Sequence, residues 1–269
     1  MNIIILGSNG MLGTYVYKYL NNLNIYNVIP LTRKNFNISK ELYKINSFFD
    51  IFNLHKGDII INCAGIIKQR KYEIIDMITV NSLLPHVLTQ YGMNKNIHII
   101  HITTDCVYSG LKGEYIETDP HDCIDEYGKT KSLGENEIIT IIRTSIIGEE
   151  NNNKLSLLEW LKQNKNKEVN GFTNHYWNGL TCLQLSKIIA DIIKNDNYWF
   201  GVKHIFSNTL TKYDLLNNIN DIYNLNINIT PIKSPNEIKR NLDTIYINNS
   251  NFHIPPLNNQ LQELNKYSI

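Results

Sequence analysis

Short apolar runs alternate with helical patterns over the first 150 residues of the chain. Residues 3–6 are continuously apolar and are followed by a glycine, which indicates a strand buried on both faces of a parallel sheet. Apolar residues then recur at helical spacing at Leu12, Val16 and Leu20. Further strands are predicted at 28–31, 58–63, 97–103 and 138–143, with helices near 39–53, 72–92 and 125–137. This alternation predicts an α/β fold built on a doubly wound parallel sheet.

The alternation of strands and helices becomes less regular beyond residue 150. An asparagine run at 151–153 leads into a predicted helix near 155–160, and two more helices are expected at 181–194 and 211–224. A short strand is predicted at 204–206, and the chain ends in a proline-containing segment of mixed character. We therefore expect one domain at 1–150 and a smaller C-terminal lobe at 151–269 that is intertwined with it.

Composition and charge exclude several classes of protein. The 269 residues are 42% hydrophobic and 19% charged. Because the net charge is +1, no overall electrostatic field attracts the protein to nucleic acid or to an anionic membrane. The four cysteines lack the paired spacing of a zinc site and the density of a disulfide scaffold, and no acidic cluster calls for a metal. The N-terminus has no basic start or long apolar run, so a cytoplasmic location is expected.

A glycine-rich segment directly follows the first predicted strand. Glycine allows the chain to turn sharply from strand to helix and allows backbone amides to approach a pyrophosphate, which the positive end of the helix then faces. Because the segment lies between a strand and a helix, it predicts a dinucleotide site. The expected contacts lie within Gly7-Ser8-Asn9-Gly10-Met11-Leu12-Gly13, at Gly7, Asn9, Gly10, Met11 and Leu12.

The second and third strands bear on the choice of cofactor. An acidic residue after the second strand would favour NAD(H), but Arg33 and Lys34 stand there instead. Their charges suit a 2′-phosphate, so NADP(H) is favoured, while NAD(H) stays open. The small residues Cys63, Ala64 and Gly65 after the third strand would let a flat ligand lie against the backbone.

A tyrosine and a lysine stand four residues apart in the predicted helix near 125–137. At that spacing the phenol of Tyr127 and the ammonium of Lys131 share one helix face, and the ammonium would lower the tyrosine pKa. Such a tyrosine can exchange a proton with a substrate oxygen, and the upstream hydroxyl of Thr104 can hold that oxygen.

These motifs, in this order, resemble the extended short-chain dehydrogenases/reductases with a Rossmann-type fold, and most closely the dTDP-4-dehydrorhamnose reductase-like branch. The resemblance implies reduction of the C4 ketone of a nucleotide-linked 4-keto-6-deoxyhexose. It implies Tyr127 as proton donor, Lys131 at the nicotinamide ribose, and Thr104 with Asp105 at the substrate. A substrate-binding C-terminal lobe and a homodimer are also expected. The motifs lie at 7–13, 62–65, 101–110, 113–117, 127–135 and 142–145, with a weaker match at 240–243.

Three departures from that branch bear on the sugar. Cys106 and Ile146 stand where aromatic residues are usual, and the loop at 66–70 lacks the usual acidic character. A cysteine next to the threonine resembles GDP-fucose synthases, which implies a second role for Cys106 as an acid/base in epimerisation beside the ketone; a small buried cysteine without a chemical role is the alternative. His175 is the nearest candidate for the partner histidine of those enzymes. Trp177 is a candidate for the sugar pocket, since aromatic faces suit sugars.

Two further features of the sequence bear on the substrate and on whether the protein is an enzyme. Residues 156–160 resemble reductases that handle UDP-linked, N-acetylated 6-deoxyhexoses, so that substrate class is one expectation. Relatives of the same fold also serve as NADP-binding regulatory subunits without catalysis. Such a subunit need not retain Thr104, Tyr127 and Lys131 together, whereas this chain has all three.

Overall fold

The computed structural model describes residues 1–69, 71–152, 154–246 and 252–269. Arg70, in the loop at 66–70, and Asn153, in the asparagine run, lie outside the described residues. The strands are β1 (Asn2–Leu6), β2 (Asn27–Leu31), β3 (Ile59–Asn62), β4 (His98–Thr104), β5 (Thr140–Thr144), β6 (Ile146–Ile147), β7 (Glu168–Phe172), β8 (His175–Trp177), β9 (Leu180–Thr181), β10 (Gly201–His204), β11 (Leu210–Thr211), β12 (Asn228–Ile232) and β13 (Ile238–Lys239). The α-helices are α1 (Met11–Asn22), α2 (Ile38–Glu41), α3 (Ile45–Asp50), α4 (Ile74–Ile78), α5 (Leu84–Lys95), α6 (Glu126–Leu133), α7 (Leu157–Gln163), α8 (Cys182–Lys194), α9 (Lys212–Tyr223) and α10 (Leu257–Lys266).

Six strands form one parallel sheet in the order β10-β5-β4-β3-β1-β2. The chain leaves β1 for β2 at one edge and then returns to place β3 on the other side of β1. This reversal is the switch point of a doubly wound sheet, where ligands bind beyond the carboxyl ends of the strands. The predicted fold class is confirmed.

Both faces of this sheet are covered, which explains why its strands are apolar throughout. Ile3 and Ile5 pack in one core with α1 and α8, while Ile4 and Leu6 pack in a second core with α3 and α5. Since neighbouring strand residues point to opposite faces, each must be apolar when both faces are buried.

Two helical predictions and one strand prediction differ from the structure. The helical region 39–53 is interrupted by a 3₁₀ turn at Leu42–Lys44, and the region 72–92 by a π-helical turn at Thr79–Leu83. The second interruption precedes Pro85, which has no N–H to donate to the carbonyl four residues earlier. The strand expected at 204–206 lies at Gly201–His204, where it pairs with β5 and extends the main sheet.

Apart from β10, the strands beyond β5 form smaller sheets. β8 lies between β11 and β13, β12 pairs with β7, and β6 pairs with β9. The segment after β13 is joined to the loop after β4, since Tyr115 bridges to Leu242 and its amide donates to the Asn241 carbonyl at 3.1 Å. Within the described ranges, every helix is too short or too polar to cross a membrane.

Candidate active site

A cleft of about 920 Å³ lies where the strands of the main sheet end. Its wall includes the residues that follow β1, β3, β4 and β5, so it lies at the switch point. Most of the predicted site residues meet in it. They are Gly7, Asn9, Gly10, Met11, Leu12, Arg33, Cys63, Ala64, Gly65, Thr104, Asp105, Cys106, Tyr127 and Lys131.

The glycine turn after β1 has no room for side chains at two positions. Gly7 has a φ of +74°, and a Cβ there would lie 2.9 Å from the backbone of Ala64. A Cβ at Gly13 would lie 2.2 Å from the Gly7 carbonyl oxygen. The turn therefore packs directly against α1 and the end of β3. Since α1 begins at Met11 without an acidic residue in its first turn, its positive end is available to the phosphates of a dinucleotide.

The two basic residues after β2 differ in their placement. Arg33 is exposed and lies in the wall of the cleft, whereas Lys34 is exposed outside it. The turn that carries them is held by Asn35, whose Oδ1 accepts from the amide and hydroxyl of Thr32 at 2.9 and 2.8 Å. Of this pair, only Arg33 lies in the wall of the cleft.

Thr104 ends β4 and shapes the turn that follows. Its buried hydroxyl accepts from the Cys106 amide at 3.1 Å and donates to Asp105 Oδ1 at 3.1 Å. These bonds fix a 3₁₀ turn at Asp105–Val107 and direct Asp105 and Cys106 to the cleft. The structure thus brings together the three consecutive residues assigned to the substrate or to catalysis.

Helix α6 carries both Tyr127 and Lys131 to the same cleft. The helix begins after Asp125, whose Oδ1 accepts from the Gly128 amide at 2.8 Å and so caps it. Lys131 is buried, and its Nζ donates to the carbonyl of Ile102 at 2.8 Å. The ammonium is therefore tied to β4, two residues before Thr104.

Burial governs the pKa of both groups. It raises the pKa of the Tyr127 phenol well above its usual value, with Cys106 adding to the rise and the Thr104 hydroxyl opposing it. The net pKa of the phenol is therefore raised and not lowered, because burial outweighs the favourable contacts. Burial also lowers the pKa of Lys131 to about 8, while Glu135 and Cys63 raise it. At neutral pH the phenol is neutral and holds its proton.

Cys106 and Asp105 meet two cations from the C-terminal half. Burial and the neighbouring Asp105 raise the pKa of the Cys106 thiol to about 12, whereas Arg240, whose Nη1 lies 3.9 Å from the sulfur, lowers it. Burial raises the pKa of Asp105, and Arg240 and Lys212 oppose that rise. The thiol is protonated at neutral pH, so it can donate a proton but is a poor base.

Trp177 and His175 on β8 do not line the cleft. Trp177 is buried, and its indole N–H donates to Ser145 Oγ at 2.7 Å, so it supports a cleft residue from behind. His175 stacks on Phe172 with ring centroids 4.3 Å apart, and its buried Nε2 has no hydrogen-bond partner in the described part of the chain. Both residues contact the cleft at most through their neighbours.

Sequence reasoning missed several parts of the cleft wall. Its outer part comes from the loop after β3, including Lys68 and Lys71, and from the segment after β5, including Ser145 and Glu150. Ser145 ends the motif at 142–145, but no motif covers Lys68, Lys71 or Glu150. The signal that would have found them is their position at the carboxyl ends of predicted parallel strands.

A buried charge network lies behind Lys131. Arg143 on β5 is 1% exposed and is paired with Glu135, one turn beyond Lys131. Thr103 donates to the same carboxylate at 2.8 Å, and Arg143 also donates to the Tyr108 hydroxyl at 2.6 Å. The network therefore ties the end of α6 to β4 and β5. Arg143 therefore supports the site without lining the cleft, whereas Thr103 lies in the cleft wall.

The doubly wound sheet, the glycine turn at its switch point and the Tyr127/Lys131 pair in the cleft are the features of an extended short-chain dehydrogenase/reductase. The chain belongs to the family described as RmlD substrate binding domain, whose model matches residues 1–244. It is 29% identical over 217 residues to a dTDP-4-dehydrorhamnose reductase of Aggregatibacter actinomycetemcomitans, an alignment that covers 75% of this chain and 72% of the relative. The expected family is confirmed.

Solved structures agree with the fold. A dTDP-4-dehydrorhamnose reductase of Clostridium acetobutylicum has a TM-score of 0.80 at 23% identity, and one of Bacillus anthracis in complex with NADP has 0.81 at 20%. Each match covers 98% of both chains. At these identities the likeness establishes the architecture, and function rests on the residues of the cleft.

Proposed function

We propose that this protein reduces the C4 ketone of a nucleotide-linked 4-keto-6-deoxyhexose with NADPH. One observation carries the proposal: Thr104, Tyr127 and Lys131 lie in the wall of the cleft that also contains the glycine turn at the end of β1. A dinucleotide on that turn and a ketone at Tyr127 would share a single cleft. The reductase relatives and the family membership support the same chemistry.

The residues of the cleft fit NADPH, which supplies the hydride when bound. Gly7 and the first turn of α1 would hold its pyrophosphate, because the turn brings backbone amides close and has no side chain in the way. Arg33 would pair with the 2′-phosphate. The NADP complex of the Bacillus anthracis relative supports NADP(H) over NAD(H). Lys34, outside the cleft wall, would contribute less.

Tyr127 would protonate the carbonyl oxygen as the ketone is reduced. The raised pKa of its phenol suits a proton donor, because the proton stays on the oxygen until negative charge develops on the substrate. Thr104 would orient the carbonyl, and Lys131 would hold the ribose and stabilise the phenolate as it forms. The hydrogen bond from Lys131 to the Ile102 carbonyl would keep the ammonium in place during the transfer.

We propose that residues 1–150 bind the cofactor and that residues 151–269 supply most contacts to the sugar nucleotide. A UDP-linked, N-acetylated sugar is the substrate class expected from residues 156–160, and Ser156 and Leu157 lie in the cleft wall. Trp177 would act on the sugar pocket through Ser145. The cytoplasmic location and the homodimer stay predictions.

Epimerisation beside the ketone is a second candidate activity. Cys106 favours it by position, since it lies in the cleft wall two residues from Thr104. The raised pKa of its thiol weighs against a role as base and leaves the role of proton donor. Reaction in D₂O tests the idea: deuterium at the carbon beside C4 that is lost in Cys106→Ser supports epimerisation, and unlabelled wild-type product at that carbon dismisses it.

The direct test of the reductase is incubation with NADPH and a panel of UDP-, GDP- and dTDP-linked 4-keto-6-deoxyhexoses. We expect loss of absorbance at the NADPH band with at least one of them, and the product's stereochemistry identifies the reaction. If the protein binds the cofactor but oxidises NADPH with none of these sugars, the result would instead favour a regulatory subunit of the same fold.

A further inference from the structure

Ser145 lies in the cleft wall with its hydroxyl hydrogen unused. It follows β5, and its Oγ accepts from the indole N–H of Trp177 at 2.7 Å. An indole nitrogen can only donate, so the hydroxyl of Ser145 is the acceptor in this bond and keeps its own hydrogen. None of the described residues accepts that hydrogen. Ser145 therefore offers a hydrogen-bond donor to a ligand in the cleft.

The surroundings of Ser145 hold this donor in place. The Ser145 carbonyl accepts from the Leu180 amide at 2.8 Å and from the Thr144 hydroxyl at 3.2 Å. A Cβ on Gly179 would lie 2.3 Å from the same carbonyl oxygen and 2.3 Å from Cζ2 of Trp177, so this packing requires a glycine. Because the side-chain oxygen and the backbone are both fixed in advance, little conformational entropy is lost when the hydroxyl donates to a ligand.

Ser145 lies beside Thr104 across two neighbouring strands. Thr104 at the end of β4 is paired in register with Thr144 at the end of β5, and Ser145 is the next residue. Neighbouring strands are about 4.8 Å apart, so a group bound at Thr104 has Ser145 next to it. In the sheet order β5-β4-β3-β1, Ser145 and the glycine turn lie on opposite sides of Thr104. The part of a ligand that meets Ser145 is therefore on the side away from the phosphates of a dinucleotide.

The C-terminal half of the chain contacts Ser145 from this side. Trp177 belongs to β8, and Leu180 belongs to β9, which pairs with β6 directly after Ser145. Under the proposed function, this half supplies most contacts to the sugar nucleotide. A hydroxyl that is held by this half is placed to meet the sugar.

We infer that Ser145 donates a hydrogen bond to the hydroxyl oxygen on C3 of the sugar, the carbon next to the ketone. The inference rests on the proposed function, because it concerns a contact to the same substrate. When the C4 oxygen lies at Thr104 and Tyr127, C3 carries the only hydroxyl next to the ketone, since C5 carries the ring oxygen and C6. Ser145 is thus a residue for substrate specificity, and Trp177 is a positioning residue that acts through it.

The test compares sugar nucleotides with and without the 3-hydroxyl. We expect Ser145→Ala to lower kcat/KM for the 4-keto-6-deoxyhexose about fivefold to tenfold, as for loss of one neutral hydrogen bond. Binding of the matching 6-deoxyhexose with a 4-hydroxyl, measured by calorimetry without turnover, should weaken by a similar factor. The 3-deoxy analogue should be bound equally by the wild type and by Ser145→Ala, and the wild type itself should bind it more weakly than the parent sugar. Ser186→Ala is the matched control, because the Ser186 hydroxyl is buried in α8 and donates to the Cys182 carbonyl at 2.8 Å.

A second variant tests the role of Trp177. Trp177→Phe keeps an aromatic ring and removes the N–H that holds the Ser145 hydroxyl, so KM for the sugar should rise while kcat changes little. The double variant Ser145→Ala/Trp177→Phe should bind the sugar no more weakly than Ser145→Ala, because Trp177 acts on the sugar through Ser145. A further loss in the double variant overturns this role. Melting temperatures of all variants separate a loss of contact from a loss of folding.

Failure of this contact is distinguishable from failure of the reductase. If Ser145→Ala has wild-type kcat/KM, or if the wild type binds the 3-deoxy analogue as well as the parent sugar, the contact is overturned even though the enzyme reduces ketones. A loss of NADP affinity in Ser145→Ala, with sugar binding unchanged, also overturns it. Binding of the 6-deoxyhexose that depends on Ser145 and on the 3-hydroxyl, without turnover of any 4-keto sugar, leaves the contact standing and refutes the reductase. Absence of binding by every sugar nucleotide overturns both.

Discussion

Gly128 and Cys106 are in direct backbone contact, because a Cβ on Gly128 would lie 2.3 Å from the Cys106 carbonyl oxygen. This contact sets helix α6 against the turn that follows Thr104. Tyr127 precedes Gly128 in the helix, so the same contact determines how far the phenol lies from the threonine hydroxyl. The close approach of α6 to this turn therefore requires a glycine at position 128.

The first prediction concerns that glycine. In Gly128→Ala the new methyl group meets backbone on the other side, so α6 must shift away from the turn. We expect turnover to fall about tenfold to a hundredfold, as for a small misplacement of reacting groups, and the melting temperature to fall with it. Lys129→Ala, an exposed change on the same helix, is the control and should leave both unchanged. Normal turnover in Gly128→Ala would show that the contact does not position Tyr127.

The second prediction concerns the proton donor. Tyr127→Phe removes the phenol oxygen while keeping the ring, so we expect kcat to fall by ~10² or more with NADPH affinity retained. Steady-state kinetics and cofactor titration measure the two effects separately. Tyr91→Phe is a matched control, because Tyr91 is buried in the core on the α5 side of the sheet. Near-normal turnover in Tyr127→Phe would refute the assignment.

The third prediction follows from the lowered pKa of Lys131. Between its folded pKa of about 8 and its ordinary value of 10.5, the unfolded chain binds a proton that the folded chain does not. Folding stability attributable to Lys131 therefore rises with pH across that window, by about 3 kcal/mol in all. The free energy of unfolding of Lys131→Met minus that of the wild type should be larger at pH 7 than at pH 10. A difference that does not change with pH contradicts a buried, charged Lys131.

The fourth prediction concerns cofactor choice. Removing the guanidinium in Arg33→Ala should reduce the preference for NADPH over NADH about tenfold or more, as expected for a lost charge-assisted bond to phosphate. The ratio of kcat/KM values with the two cofactors measures it. Lys34→Ala is the natural control, since Lys34 lies outside the cleft wall, and should change the ratio much less. A wild-type preference for NADH would contradict the assignment of Arg33 to the 2′-phosphate.

Sequence reasoning was most successful where a local rule applies. The apolar run of β1 and the glycine turn can each be interpreted from residues that are adjacent in the chain. Both lie where they were predicted. The interruption at Thr79–Leu83 was missed because helical periodicity does not register a single π turn before a proline. The strand expected at 204–206 was displaced because pairing with β5, a distant partner, decided its bounds.

The surroundings of individual side chains could not be predicted from the sequence. The spacing of Tyr127 and Lys131 places them on one helix face, yet the net pKa of the phenol is raised and not lowered, because burial by distant segments outweighs the favourable contacts.

The sequence by itself determined the α/β class, the dinucleotide turn and the candidates for the reaction, because strand burial, tight turns and helix spacing are set by residues close in the chain. Only the tertiary structure decided which side chains share the cleft. It brought Arg33 into the wall, left Lys34 and Trp177 out, and set Arg240 beside Cys106. These outcomes depend on the packing of segments far apart in sequence, and burial there governs charge and access.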